Sequence, residues 1–290
     1  SRQKLKDYLR KISQNDKRVH LFENQRNMGP GYANRLGFAE ASHQLICLMD
    51  SDVLVPPGWL DRLVADFQQN PELKMIAPLQ PSEQMIHPFD QSGRDSKVSW
   101  NAVKQNNPDL PPHEQFLIYS NGLSIDAFEA EVLKVNPPQV QVIEAPPDFL
   151  SSCCLLLDRR AIEKAGGIAD PDFRAYGSED VDLCWRIAQE GKIAKTSSVY
   201  VHHFQGVSLQ SNQLDRASAL QLANQILYDK WKDKLLKQIE EKIEVERVEL
   251  IEYLESHFIY SALARSTSFI DDLRKRLNRP DIPEDIVWFS

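Results

Sequence analysis

Two aspartates separated by one serine follow a short apolar segment early in the chain. The apolar run Leu45–Met49 has the length of a buried strand and continues directly into Asp50, Ser51 and Asp52. Successive side chains of an extended strand point to opposite faces, but a bend after the strand lets both carboxylates flank one hard cation. Mg²⁺ and Mn²⁺ prefer such oxygen ligands and commonly bridge to substrate phosphates. The spacing is compatible with a divalent-cation site, but alone it favours the structural alternative, a turn or a helix N-cap.

A second acidic group stands at the start of a predicted helix over residues 179–190. It consists of Glu179, Asp180 and Asp182, preceded by Gly177 and Ser178. Acidic residues in a first turn interact favourably with the helix dipole, and a serine before them can cap the helix, each contributing about 0.3–1 kcal/mol. The same carboxylates could instead supply a general base that takes the proton of an attacking hydroxyl. Both interpretations remain open at this point.

Two adjacent histidines, His202 and His203, end a predicted strand over residues 193–201. Histidine pairs often pack in a core or lie on the surface. Neutral imidazole is also a common metal ligand, so a histidine at a strand end can complete a site that two aspartates begin. The chain thus holds three groups that could do chemistry, and each of them begins or follows a regular element.

The regular elements that would position these groups alternate between helices and strands. Apolar periodicity and turn residues predict helices over 4–12, 32–42, 59–69, 159–165 and 179–190, and strands over 19–22, 44–49, 74–78, 149–157 and 193–201. Such alternation is typical of an α/β fold with a mixed, mostly parallel sheet flanked by helices. Asp50 and Asp52 would then follow a buried parallel strand, at the edge where open sheets bind ligands.

Two long segments lie outside this alternation. Residues 80 to about 148 are rich in proline, and a folded-over insertion is expected because aromatic and apolar side chains are present to anchor it: Trp100, Phe116, Leu117, Ile118, Tyr119 and Phe128. Trp100 and Tyr119 either belong to that small core or offer ring faces against which a ligand stacks. The pattern of residues 209–290 predicts an amphipathic helical extension that packs against the rest of the chain. Two more specific functions for it are homo-oligomerisation and contact with a membrane surface. Its net charge of −3, from 12 basic and 15 acidic residues, weakens the membrane alternative.

Composition narrows the class of protein. The 290 residues carry 34 Lys and Arg against 42 Asp and Glu, a formal net charge of −8, which argues against nucleic acid as a partner because phosphate neutralisation needs clustered cations. The longest apolar run, Leu45–Met49, is far shorter than the roughly 20 residues that span a bilayer, and Ser1–Arg10 has no apolar signal-peptide core. The four cysteines imply no disulfide framework. We therefore expect a cytoplasmic protein, at most in peripheral contact with the inner face of the membrane.

The order of these features resembles the inverting family 2 glycosyltransferases with the GT-A fold, most closely their bacterial rhamnosyltransferase-like members. The resemblance covers roughly residues 1–79 and 149–208. It is carried by Asn27-Met28-Gly29-Pro30-Gly31 with Asn34 and Gly37, Leu48-Met49-Asp50-Ser51-Asp52, Ser152–Gly167, Tyr176–Arg186, His202–Gly206 and Lys230-Trp231. It implies a GT-A-like, Rossmann-like domain over residues 1–208, with the insertion at about 80–148, and a helical C-terminal extension over 209–290.

The resemblance implies a nucleotide-sugar donor and a divalent cation, Mn²⁺ or Mg²⁺. Asp50, Asp52 and one histidine would hold the cation, which offsets charge on the departing nucleoside diphosphate. His202 is the expected histidine, and His203 is the alternative. Six residues would contact the donor, namely Asn27, Gly29, Asn34, Asp50, Ser51 and Asp52. The two glycines of the first motif permit close backbone approach, although a plain turn before a helix explains each of them equally well.

The resemblance also assigns roles at the second acidic group. Asp180 would deprotonate the acceptor hydroxyl for in-line attack at the anomeric carbon, and Glu179 would orient a hydroxyl, with Asp182 the next candidate base. The acceptor, a glycan or a lipid-linked sugar, would contact Gly177, Ser178, Glu179 and Trp185. The transferred group would be hexosyl or deoxyhexosyl, and the setting would be polysaccharide biosynthesis.

One departure from the family pattern affects the expected function. Family members begin with a strand–helix–strand unit that holds the base and ribose, and such a unit needs roughly 30 residues. Nothing precedes the helix predicted at 4–12, so we expect a fragment of a longer chain. The alternative function is a catalytically silent glycan-binding or assembly module of the same fold. A metal-dependent hydrolase, the third hypothesis, has no sequence feature of its own.

Overall fold

We describe the fold from a computed structural model of the chain, over residues 2–81, 85–90, 98–173, 177–205 and 216–288. Within these ranges one sheet is formed by β1 Leu45–Met49, β3 Leu73–Leu79, β4 Val140–Ile143, β5 Cys154–Asp158 and β6 Lys192–Tyr200. Two short strands, β2 Val53–Leu54 and β7 His202–His203, pair with each other. The helices are α1 Arg2–Asn15, α2 Pro30–Glu40, α3 Trp59–Gln69, α4 Trp100–Asn106, α5 Pro112–Tyr119, α6 Ile125–Val135, α7 Arg159–Lys164, α8 Glu179–Ile187, α9 Arg216–Glu244, α10 Leu250–Glu255, α11 Phe258–Ala264 and α12 Phe269–Leu277.

The strands of the sheet lie in the order β1-β5-β3-β6-β4. β5 is antiparallel to both β1 and β3, β3 is parallel to β6, and β4 is antiparallel to β6. Three strands, β1, β3 and β6, therefore share one direction, and the predicted mixed α/β sheet flanked by helices is confirmed. The interpretation of β1 as a buried parallel strand is wrong. β1 is an edge of the described sheet, its neighbour is antiparallel, and it is only partly buried.

Each predicted helix is present with its ends shifted by a few residues. The predicted strand over 19–22 is wrong, because these residues form no regular element. The strand predicted from Phe149 begins only at Cys154, and residues 149–153 form a loop that leads into it. This loop lies beside the candidate site described below.

Alternate side chains of the sheet fill two cores, one on each face. Leu155 belongs to the core that contains Trp185 of α8 and the buried side chains of α9–α12. The next residue, Leu156, faces the other core, where Leu63 of α3 is fully buried. The sheet is thus covered on both faces, so its polar ligand-binding positions are confined to its edges and strand ends.

The Pro-rich insertion is a small helical unit, made of α4, α5 and α6, and its chain then returns to the sheet as β4. It has its own core of aromatic side chains that are each at most 5% exposed: Trp100, Phe116, Tyr119 and Phe128. Leu117 and Ile118 were expected to help anchor it, but they lie outside, 45% and 49% exposed. The burial of Trp100 and Tyr119 excludes them as sugar-stacking platforms.

The C-terminal helices share a core with the sheet. Trp231 of α9 packs edge-on against Trp185, with 5.5 Å between ring centroids. Tyr228 and Leu235 of the same helix are fully buried. Among the described helices none is both long enough and apolar enough to cross a bilayer. The predicted start of this extension at residue 209, like Tyr176 and Gly206 of the sequence motifs, lies outside the described residues.

Candidate functional site

Asp50, Asp52 and His203 come together at one edge of the sheet. The two aspartates lie at the turn that follows β1, and pairing of β2 with β7 places His203 opposite Val53. The Nε2 atom of His203 lies 3.7 Å from Asp50 Oδ2 and 3.4 Å from Asp52 Oδ1. One ligand atom from each of the three residues lies within 4.8 Å of the others, and the described part of the chain contains no second group of this kind.

Backbone hydrogen bonds hold this turn at both ends. The amide of Asp50 donates to the carbonyl of Cys153 at 2.9 Å, and the amide of Phe204 donates to the carbonyl of Asp52 at 3.0 Å. The side chains of Asp52 and His203 are each only 15% exposed, whereas that of Asp50 is 50% exposed. A ligand can therefore reach the group from the side of Asp50.

The electrostatics of the group suit a bound cation. Burial raises the pKa of Asp50, His203 lowers it, and the charges of Asp52 and Asp180 raise it further. A cation would relieve this unfavourable crowding of carboxylates. Two carboxylates and one imidazole fit Mn²⁺ better than Mg²⁺, because Mg²⁺ prefers an all-oxygen shell. The donor set therefore fits the predicted divalent cation.

Glu179 and Asp180 begin α8 beside this group. The amide of Gly177 donates to Glu179 Oε2 at 2.8 Å. The carboxylate of Asp180 accepts from the amide of Val181 at 2.9 Å and from the amide of Ser152. Burial raises the pKa of Asp180, and burial with the charge of Asp180 raises the pKa of Glu179 to about 7. The two carboxyl groups are thus fixed in place, and both hold a proton more tightly than exposed carboxyls do.

The residues just before α8 shape the backbone there. Ser178 has a left-handed backbone with φ of 59°, and its side chain does not cap the helix as the structural interpretation expected. Its hydroxyl instead donates to Asn224 Oδ1 of α9 at 2.7 Å. Gly177 has φ of 118°, and a Cβ there would lie 2.6 Å from the side chain of Leu220. Gly177 and Ser178 thus set the approach of α9 to the start of α8.

Asp182 is held in a buried charge network and faces away from the site. It is fully buried, and its Oδ2 accepts from Arg186 Nε at 2.7 Å. Its Oδ1 accepts from Trp231 Nε1 at 2.9 Å and lies 2.8 Å from Lys230 Nζ. A carboxylate with three such partners has a structural role, so the hypothesis of Asp182 as the reserve base is wrong.

Two further predicted contacts are wrong because the side chains are buried. Trp185 is fully buried and donates from Nε1 to the carbonyl of Asp148 at 3.0 Å, so it cannot contact an acceptor. His202 is also fully buried, with Nδ1 2.8 Å from the hydroxyl of Tyr200 and its ring 4.5 Å from that of Trp100. Burial lowers the pKa of His202 to about 3. Neighbouring residues of a strand point to opposite faces, and the imidazole beside the aspartates is therefore that of the next residue.

The predicted donor-contacting residues lie in two turns and in helix α2. Asn27 Oδ1 accepts from the amide of Gly29 at 2.9 Å, and Gly29 has φ of 79° just before α2 begins. These two residues thus form the turn before a helix that the sequence left open as an alternative. Asn34 lies within α2, and Ser51 is exposed between the two aspartates. Contact of these residues with a donor stays a prediction.

One support of the site was missed by the sequence reasoning. Trp100 of the insertion donates from Nε1 to the carbonyl of Phe204 at 3.0 Å. The amide of Phe204 in turn donates to the carbonyl of Asp52. No periodicity or motif relates residues 100 and 204, so this contact between the insertion and the metal-site turn has no signal in the sequence.

Comparison with known proteins identifies relatives of the chain. Residues 1–132 match the family described as Glycosyl transferase family 2. The hyaluronan synthase of Pasteurella multocida is 24% identical over 200 residues, which are 68% of this chain and 20% of that protein. The pre-mycofactocin glycosyltransferase of Mycobacterium tuberculosis is 25% identical over 173 residues, which are 60% of this chain and 29% of that protein. The chain thus spans between about a fifth and three tenths of the length of the curated relatives it matches.

The structural comparison is with the crystal structure of GalNAc-T7 with UDP, GalNAc and Mn²⁺. It aligns with a TM-score of 0.44 and 15% sequence identity, over 95% of this chain and 49% of that one. The family match over residues 1–132 includes the Asp50-Ser51-Asp52 turn and most of the helical insertion. The predicted resemblance to the family 2 glycosyltransferases is confirmed over residues 1–132.

Proposed function

We propose that this chain carries the sugar-transfer site of a metal-dependent inverting glycosyltransferase. The enzyme would move a hexosyl or deoxyhexosyl group from a nucleotide-sugar to a glycan or lipid-linked acceptor. The observation that carries the proposal is the convergence of Asp50, Asp52 and His203 with the partly buried carboxyl of Asp180, whose charge affects the pKa of Asp50. The names of the relatives, a hyaluronan synthase and a glycosyltransferase, support sugar transfer as the reaction.

Asp50, Asp52 and His203 are the residues that would hold Mn²⁺ or Mg²⁺. When bound, the cation would neutralise charge on the nucleoside diphosphate as it departs. The partly exposed side chain of Asp50 leaves one side of the group open for the phosphate oxygens of a donor. The buried partners, Asp52 and His203, would keep the ligand set rigid.

Asp180 would act as the general base. Its carboxylate takes the proton of the acceptor hydroxyl while the new bond to the anomeric carbon forms and the bond to the diphosphate breaks. The amides of Val181 and Ser152 hold the carboxylate in position. A carboxyl with a raised pKa accepts a proton more readily, which favours this role. Glu179, whose pKa is raised to about 7, would donate a hydrogen bond to a sugar hydroxyl in its protonated form.

Turnover of a panel of nucleotide-sugars tests the proposal. We expect at least one nucleotide-sugar to release its nucleoside diphosphate slowly in the presence of Mn²⁺, and faster when a glycan acceptor is added. Addition of EDTA should abolish this release, as should the double change Asp50→Ala and Asp52→Ala. Asp271→Ala, which alters an exposed aspartate at the start of α12, is the matched control for loss of a carboxylate.

Two outcomes would contradict the proposal. Release that continues in EDTA, or in the double aspartate variant, would remove the metal from the reaction. Absence of release from every donor, in a protein that binds saccharides, would favour the catalytically silent glycan-binding module.

A further inference from the structure

A cavity of about 480 Å³ lies at the carboxyl end of β3, two strands away from the metal-ligand group. Small-molecule sites have volumes of roughly 300–1,000 Å³, so the cavity can hold a ligand of that class. Its wall is built from the end of β3, the middle of β6, the edge strand β4, the loop that leads into β5, the start of α11 and the C-terminal tail. Since β1 and β3 share a direction, the cavity and the Asp50-Ser51-Asp52 turn lie at the same edge of the sheet.

The loop before β5 connects the cavity to the candidate catalytic residues. Ser151 lines the cavity, and the amide of the next residue, Ser152, donates to the carboxylate of Asp180. Gln80 also lines the cavity and accepts from the thiol of Cys153 at 2.7 Å. The carbonyl of Cys153 in turn accepts from the amide of Asp50. The cavity wall is thus linked to the candidate base through Ser152, the neighbour of Ser151. It is linked to the metal-site turn through Cys153, which contacts both Gln80 and Asp50.

The charges in the wall exclude several classes of ligand. Among the described residues that line the cavity, Lys195 is the one cation and Asp148 the one carboxylate. Asp148 is held by His257 Nδ1 at 3.0 Å, and burial lowers the pKa of Lys195. A phosphate or a nucleic acid would need several cations. Much of the wall is apolar, but a lipid chain would offer no hydrogen-bond partners to the side-chain amides of Gln80 and Gln141.

Among its aliphatic side chains, the wall also contains aromatic rings and side-chain amides. Phe149, Phe258 and Trp288 contribute rings, and the last two pack edge-on with 5.2 Å between centroids. Gln80 and Gln141 contribute amides, which can donate and accept hydrogen bonds at once. Sugar rings present an apolar face and hydroxyls that also donate and accept. A neutral wall of rings and amides therefore matches a neutral saccharide.

We propose that this cavity binds one or two uncharged sugar residues of the acceptor, and that Lys195, Trp288 and Gln141 determine its specificity. The inference rests on the proposed sugar transfer, and it assigns the acceptor to a site separate from the metal-ligand group. Lys195 and Gln141 would hydrogen-bond to hydroxyls, and Trp288 would lie against a ring.

Saturation-transfer NMR tests the assignment without knowledge of the natural acceptor. The probes are methyl glycosides of neutral and N-acetylated hexoses, their β-linked disaccharides, and inorganic phosphate. We expect saturation transfer to at least one sugar probe, and binding that is weakened about tenfold or more by Lys195→Ala and by Trp288→Ala. Lys192→Ala, an exposed lysine on the same strand that pairs with Glu72, is the matched control and should bind as the wild type does. Gln141→Arg places a bulky group in the wall from an exposed position, so it tests the cavity even if Trp288→Ala does not fold.

Nucleoside diphosphate binding distinguishes failure of this inference from failure of the proposed function. All three cavity variants should bind nucleoside diphosphate with Mn²⁺ as the wild type does. If wild-type protein binds nucleoside diphosphate but no sugar probe, or if the variants bind sugar unchanged, the cavity assignment is overturned. Binding of phosphate alone would overturn it as well. If sugar binds in the cavity while no nucleoside diphosphate binds at all, the assignment stands and the transferase proposal falls.

Discussion

Asp180 combines two features that a general base needs, a fixed position and a raised proton affinity. The amides of Val181 and Ser152 fix its carboxylate, and burial raises its pKa. Because the amides favour the charged form while burial disfavours it, the carboxylate can accept a proton without leaving its place. This balance separates Asp180 from Asp182, whose carboxylate is bound by Arg186, Trp231 and Lys230.

We predict that Asp180→Asn lowers the rate of sugar transfer by about 10²–10⁴-fold, since proton transfer to a positioned base contributes that much. Binding of the nucleotide-sugar should change little, because the base acts mainly in the transition state. Single-turnover kinetics and calorimetry measure the two quantities. Asp126→Asn, at the start of α6, is the control for a first-turn carboxylate outside the site. Full turnover by Asp180→Asn would move the base elsewhere.

Glu179 should make the stability of the metal-free protein depend on pH. Its pKa is raised from 4.5 to about 7 by burial and by the charge of Asp180. The folded state therefore binds this proton more tightly than the unfolded state does. Its contribution to stability is complete below the unfolded pKa of 4.5 and is lost as the pH rises through about 7.

We predict that the melting temperature of the wild type in EDTA falls between about pH 5 and pH 8. The melting temperature of Glu179→Gln should fall less over the same range. Thermal unfolding followed by fluorescence measures this at each pH. Glu163→Gln, an exposed carboxyl on α7, is the control and should keep the wild-type slope. Equal slopes for Glu179→Gln and the wild type would show that this carboxyl is not the group responsible.

At the residue scale, the acidic motifs could be predicted and the histidine could not. Asp50-Ser51-Asp52 follows an apolar run of strand length, so the sequence predicts its position at a strand end. The choice between His202 and His203 depends on which face of a two-residue strand meets the turn, and pairing of β7 with β2 decides it. Similarly, the helical pattern of α8 does not reveal that Trp185 turns to the core, because the core partner Trp231 lies 46 positions later.

At the element scale, the helical insertion supports the metal-site turn. Trp100 on α4 donates to the carbonyl of Phe204, and Phe204 donates to the carbonyl of Asp52. His202 packs among the aromatic rings of the same insertion. The insertion thus fixes the backbone on both sides of His203.

We predict that Trp100→Phe weakens Mn²⁺ binding about tenfold, which is the lower end of the effect of lost outer-shell contacts. The ring volume is largely kept, so the loss comes mainly from the hydrogen bond to Phe204. Calorimetric titration with Mn²⁺ measures the affinity, and Trp288→Phe in the C-terminal tail, whose ring packs against Phe258, is the control for loss of an indole. Wild-type affinity in Trp100→Phe would mean that the insertion does not hold the site.

The helices of the insertion were hidden by its prolines. Pro112 stands at the first position of α5, where the missing N–H costs nothing. From sequence such a proline reads as a break, and the segment was expected to be irregular. Its aromatic anchors were nevertheless predictable, because several large apolar side chains in one segment need a common core.

At the scale of the whole molecule, the buried Asp182 network joins the sheet domain to the C-terminal helices. Lys230 and Trp231 of α9 contact Asp182 of α8, and Lys230 also pairs with Asp170.

We predict that Lys230→Met lowers the free energy of unfolding by roughly 2–3 kcal/mol, because it leaves a buried carboxylate with fewer partners. Urea denaturation measures this, with the exposed Lys237→Met on the same helix as control. An unchanged free energy would contradict a structural role for the network.

The α/β class was predictable from the alternation of elements, whereas the strand order was not. Apolar runs of strand length identify β1, β3, β5 and β6, but no local pattern tells that β5 inserts between β1 and β3. β4 is a short edge strand with an exposed face, so it carries little hydrophobic signal. Pairing of distant segments is set by the packed core as a whole, and that information is not local.

Calorimetry of nucleoside diphosphate binding tests the central claim most directly. We predict that at least one nucleoside diphosphate binds in the presence of Mn²⁺ and not in EDTA. Asp52→Ala and His203→Ala should each weaken this binding by more than about tenfold, and His113→Ala should leave it unchanged. Binding that is equally tight without Mn²⁺, or equally tight when Asp50 and Asp52 are both replaced by alanine, would contradict the assignment of Asp50, Asp52 and His203 as the metal site.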